Sequence, residues 1–141
     1  MFNPSREQVR NFFFDAWRKY REGQPLEGLE TVGVEVMLRH PEYHHVLDEP
    51  DRFLDREYTP EDGQSNPFLH MSLHVAIEEQ LAIDQPPGIR AEFERILADR
   101  GDRHDALHVV LECLGEVVWA AQAAPRAAPD GEAYLECLRR Q

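Results

Sequence analysis

The sequence predicts an all-α protein, a helical bundle of four or five main helices with an irregular segment over 40–66. Three observations lead there. Apolar residues recur every three or four positions through long stretches, and none of these stretches alternates as a strand does. Ser5, Asn66, Asp102 and Asp130 stand where helices begin, and glycine or proline stands where they end. The 141 residues can bury a core, so a single helical domain over 1–141 is expected, with a short C-terminal helix after a linker at 123–129.

Ser5 with Gln8 forms a capping box for a first helix over 6–22. Val9, Phe12, Phe13, Ala16, Trp17 and Tyr20 fall on its inner side, and Gly23 with Pro25 ends it. A second helix over 26–39 should turn Leu29, Gly33, Val36 and Met37 inward, with Glu30 beside Met37. Pro41, Pro50, Pro60 and Gly63 then cut the chain into pieces of a turn or two, over 42–47 and 51–56. His40 precedes a proline and is pushed out of the helical region, which suits an N-cap. His40, His44 and His45 are therefore expected at the surface or at caps.

Asn66-Pro67 starts a third helix over 67–84, stopped by Pro86-Pro87-Gly88. A fourth, over 89–99, should bury Ile89, Phe93, Ile96 and Leu97 before Gly101 ends it. Asp102 caps a fifth over 103–123, and Asp130 caps a last one with Leu135 and Leu138 as its apolar edge.

The net charge of −12 repels phosphate backbones, and no cluster of Lys or Arg offsets it, so nucleic acid is not an expected partner. No apolar run is long enough to span a bilayer, and Met1 to Tyr20 has no signal-peptide core. Cys113 and Cys137 make no disulfide framework, which suits reduced thiols and a cytoplasmic setting, with a Cys113–Cys137 bridge as the alternative.

The chemistry concentrates in two matching stretches. His70-Met71-Ser72-Leu73-His74-Val75-Ala76-Ile77-Glu78 recurs 34 positions later as His104-Asp105-Ala106-Leu107-His108-Val109-Val110-Leu111-Glu112. Each is H-x-x-x-H-x-x-x-E, which on a helix puts two imidazoles and a carboxylate on one side. Random placement of seven histidines would give roughly a third of one such pair. Leucine, isoleucine and valine flank both rows, so the rings should border the core. Imidazole and carboxylate at this spacing suit Zn, Fe, Mn or Ni. The expected metal ligands are His70, His74, His104 and His108, with Glu78 and Glu112 binding the ion or orienting a ring, and Glu30 able to add an oxygen. The metal-free alternative is a His/Glu hydrogen-bonded layer in a non-catalytic interaction module, with a protein partner or a second copy of the chain bound on its helical faces. No G-x-S-x-G, P-loop or G-x-G-x-x-G is present, so catalytic residues, substrate and reaction stay unassigned.

Phe2-Asn3-Pro4-Ser5-Arg6, Tyr58-Thr59-Pro60-Glu61 and Asn66-Pro67-Phe68-Leu69-His70 to His74 resemble a family of small bacterial proteins classed as a domain of unknown function. That resemblance covers nearly the whole chain and implies a stand-alone cytoplasmic protein without an assigned activity. The histidine layout is also similar in pattern to DinB-like and hemerythrin-like metal bundles, a likeness that carries no function by itself.

Overall fold

The structure, a computed structural model, describes residues 5–58, 66–123 and 130–141, without the side chains of residues 122 and 123. Phe2 to Pro4, Thr59 to Glu61, Gly63 and the linker at 124–129 lie outside the described residues. Among those described there are eight α-helices, one 3-10 turn and no strand. The helices are α1 (Arg6–Arg21), α2 (Leu29–Leu38), α3 (His44–Leu47), α4 (Pro50–Phe53), α5 (Pro67–Ile83), α6 (Ile89–Arg100), α7 (Arg103–Ala123) and α8 (Gly131–Arg139). The all-α expectation holds. Within 40–66, the described part consists of the 3-10 turn Pro41–Tyr43 and the single-turn helices α3 and α4.

The caps are those the sequence marks. Ser5 Oγ accepts from Gln8 N while Gln8 Oε1 accepts from Ser5 N, closing the capping box. Asn66 Oδ1 accepts from Phe68 N and Leu69 N, Asp102 from Asp105 N, and Asp130 from Glu132 N and Ala133 N. Each satisfies amide groups that the first turn of a helix leaves without partners.

The chain packs as two compact units, Met1–Val75 and Ala76–Gln141. In the first, Phe13, Phe14, Trp17, Val36, Met37 and Met71 form the middle of the core. Gly33 lets α2 approach α1 closely: a Cβ there would stand 3.0 Å from the Phe12 ring. Tyr20 and Leu29, expected inside, are 42% and 39% exposed. They sit at the last turn of α1 and the first residue of α2, where each helix runs past its neighbour.

Arg10 was not expected inside, yet it is 1% exposed. Its Nη1 donates to the carbonyls of Phe53, Leu54 and Arg56, at 3.0, 2.9 and 2.7 Å. Its guanidinium also lies over the Phe68 ring at 4.7 Å. These carbonyls end α4, so one buried cation closes the short helix and ties it to α1.

In the second unit Ile77, Ile89, Ile96, Ala106, Val110 and Leu138 are fully shielded. Tyr134 of α8 donates its hydroxyl to Gln80 Oε1 at 2.7 Å, and burial pushes that phenol far above its ordinary pKa. Arg95 of α6 holds the end of α8 through the Leu138 and Gln141 carbonyls. Cys113 and Cys137, expected as reduced thiols, instead form a disulfide between α7 and α8. Their Cα atoms are 5.8 Å apart, because the apolar edge of α8 packs on α7 and sets both side chains inside.

Two outcomes follow from this packing. Replacing both cysteines by serine should cost about 3 kcal/mol in denaturant unfolding, as expected for closing a loop of this length, with a separation of 24 residues. Arg10→Ala should cost about 3 kcal/mol by the same measurement, because it leaves buried carbonyls without their donor. Arg10→Lys should recover only part of that, since an ammonium lacks the planar fork.

Candidate metal centre

Helix α2 ends because of Pro41. Its last-turn carbonyls need donors, and two imidazoles supply them. His40 Nδ1–H donates to the Val36 carbonyl at 2.7 Å, and His44 Nε2–H donates to the Met37 carbonyl at 2.8 Å. A carbonyl only accepts, so each of these ring nitrogens carries the proton. In neutral His40 the lone pair is then on Nε2, the tautomer a metal ligand of this geometry needs.

The ring of His44 lies 4.6 Å from that of Trp17, whose Nε1 donates to Asp48 at 2.8 Å. His44 therefore braces the end of α2. His40 does form an N-cap for the 3-10 turn, through Tyr43 N to His40 O. It is not a surface residue, however, being only 2% exposed. His45 is exposed, with its ring against Phe53.

On α5, His70 and His74 project one turn apart, as the sequence expects. His74 is 3% exposed and His70 half-buried. Their ring centroids are 4.9 Å apart. His40 completes a triangle with them, at 5.0 Å from His70 and 4.7 Å from His74. One nitrogen from each of the three rings lies within 4.8 Å of the others. Nitrogens on a common tetrahedral ion at about 2.1 Å stand about 3.4 Å apart, so the rings would have to draw together to share one. Tyr43 stacks flat on His40 at 5.6 Å and meets His70 edge-on at 6.1 Å. Burial first, then Glu42, pushes its phenol above the ordinary pKa.

The other expected ligands are placed differently. His104 is exposed on α7 and His108 half-buried, with ring centroids 4.2 Å apart. Glu112 is exposed. Glu78 pairs with Arg103 at 2.8 Å. Glu30 pairs with Lys19 at 2.8 Å and accepts from Glu27 N. Among the described residues, the clustered donor atoms include none of His104, Glu78, Glu112 or Glu30.

Sequence reasoning underrated His40, and a signal for it was present. Gly33, Val36, Met37 and His40 continue one inward stripe at helical spacing, and Pro41 ends the helix too late to turn that side chain away.

The molecule is thus, in class, a small all-α protein with a buried imidazole cluster at the end of one helix. The chain belongs to the family described as domain of unknown function DUF1841, whose model matches residues 5–140. Neither the curated proteins nor the solved structures contain a match to it.

The Glu30–Lys19 pair gives a pH prediction. The Lys19 hydrogen bond first, then that from Glu27 N, holds the Glu30 carboxyl below its ordinary pKa. Its contribution is complete above the ordinary carboxylate pKa and fades as pH falls through the lowered one. Glu30→Gln should therefore melt below the parent at neutral pH, and the gap should close on acidification.

Proposed function

We propose that this protein binds one divalent transition-metal ion through His40, His70 and His74. The observation that carries the reading is the three-ring cluster, with the His40 tautomer set by the Val36 carbonyl. An imidazole-only donor set favours Zn, Fe or Ni over Mn, which prefers carboxylate oxygen. His104 and Glu112 are exposed on α7, and Glu78 pairs with Arg103, so none of them is a ligand in this reading. The acidic charge argues against nucleic acid as a partner in this reading. Among the described residues no helix is long and apolar enough to cross a membrane. A cytoplasmic setting rests on reduced thiols, whereas the Cys113–Cys137 disulfide suits an oxidising one. Thiol labelling of the two cysteines in freshly lysed cells tests it, since a cytoplasmic protein should show them reduced.

Elemental analysis of untagged protein tests the metal directly. A near-stoichiometric ion is expected. Adding ion at about a hundred times its dissociation constant should raise stability by about 2.7 kcal/mol. His40→Ala with His70→Ala should abolish both effects while helical circular dichroism is kept. If the purified chain holds no metal and its melting ignores added Zn²⁺, Co²⁺ and Ni²⁺, the cluster is a metal-free polar layer. Its melting should then shift between about pH 5 and 8, where histidine changes charge.

A further inference from the structure

The two sulfurs of the Cys113–Cys137 bridge differ in their access to solvent. Cys137 lines a groove of about 340 Å³ between α7 and α8, together with Glu116, Ala120, Asp130, Ala133 and Arg140. Cys113, 2% exposed, is not among the residues that line it. Alanine on both helices leaves room there for a small molecule beside Cys137. Access decides which sulfur of a disulfide an incoming thiolate attacks.

Charge selects the same sulfur. Glu116 Oε2 lies 3.5 Å from Cys137 Sγ. In thiol–disulfide exchange the negative charge sits mainly on the entering and departing sulfurs. A carboxylate beside Cys137 therefore opposes its departure and leaves Cys113 as the sulfur released. The lining carries two carboxylates, Glu116 and Asp130, against the one guanidinium of Arg140, on a chain of net charge −12. An ammonium-bearing thiol is drawn to such a groove, and an anionic thiol is repelled.

Helix α8 does not depend on the bridge alone. Tyr134 donates to Gln80, Arg95 holds the Leu138 and Gln141 carbonyls, and Leu138 is fully shielded. With the bridge open, these contacts keep Cys113 opposite Cys137, where it can reverse the step.

We propose that Cys137 is a modification site, at which a small aminothiol forms a mixed disulfide. The thiolate of the aminothiol attacks Cys137 Sγ, and the Cys113–Cys137 bond breaks as the new S–S bond forms. Cys113 leaves as a thiolate and takes up the proton that the aminothiol released. One disulfide and one thiol thus become another disulfide and another thiol, with no further oxidant or reductant.

Trypsin cuts after Arg103, Arg126 and Arg139, so Cys113 and Cys137 fall in separate peptides, 104–126 and 127–139. The full-length chain, oxidised in air, is treated with cysteamine, quenched with N-ethylmaleimide, digested and weighed by mass spectrometry. Cysteamine on the Cys137 peptide with maleimide on the Cys113 peptide should exceed the reverse arrangement by about tenfold. Equal labelling of the two, the reverse arrangement, or no adduct short of denaturation would overturn the proposal, as would a chain that forms no bridge in air. The rate advantage of cysteamine over mercaptoethanesulfonate should be about threefold larger on the folded chain than on the urea-unfolded one. Glu116→Gln should shrink that difference. A difference unchanged by the substitution would place the selection outside the groove and overturn the assignment of an aminothiol.

Discussion

The end of α2 is the constraint on which the candidate centre depends. A helix stopped by proline leaves carbonyls without intrahelical donors, and burying them so would be costly. His40 and His44 supply the missing N–H groups from the residues just beyond the stop. This fixes two things together. It holds the 3-10 turn against the helix it follows, and it commits the proton of His40 to Nδ1, leaving Nε2 as an acceptor near His70 and His74. The same hydrogen bond thus serves the local fold and the chemistry of the site.

Around that constraint, the first unit is braced by charge and aromatic contacts more than its length would suggest. Trp17 is buried, lies tilted against His44 and donates to Asp48, so α1 and α3 both bear on the turn that carries His40. Arg10 fastens the end of α4 through backbone carbonyls, and among the described residues no carboxylate is bonded to it. Carbonyl oxygens accept its donors while the Phe68 and Tyr58 rings accept its charge. These supports keep a short, proline-divided segment from fraying, as helices of one turn would in isolation.

Most of the fold was legible because it depends on local rules. Ser5, Asn66, Asp102 and Asp130 mark helix starts through hydrogen bonds that span only two or three residues. The periods of α1 and α6 likewise report a face that must be covered. What the sequence hid involves partners far apart along the chain. Arg10 looks like one more charge on an outer face until the α4 carbonyls, more than forty residues away, are brought to it. Cys113 and Cys137 form no recognisable motif, and only the packing of α8 on α7 joins them. The histidines of α5 were readable from spacing alone, while His40 was obscured by a sound rule about prolines. The rule correctly ended the helix, but a helix end is not necessarily a surface.

The two H-x-x-x-H copies show what such a pattern can and cannot specify. Spacing alone puts two imidazoles a turn apart in both, and the rings do come to 4.9 and 4.2 Å. Burial then separates the copies: His74 is enclosed and His70 half-enclosed, whereas His104 is exposed and only His108 is partly covered. A helical pair in water binds an ion weakly, since both rings must give up solvent and rotamer freedom for two bonds. A third ring, already oriented by a backbone hydrogen bond, changes that balance because much of its ordering is completed on folding. His40 is that ring for the α5 pair. The duplication therefore marks two helices able to carry ligands, and the proline-ended α2 makes the first of them the stronger candidate for an ion.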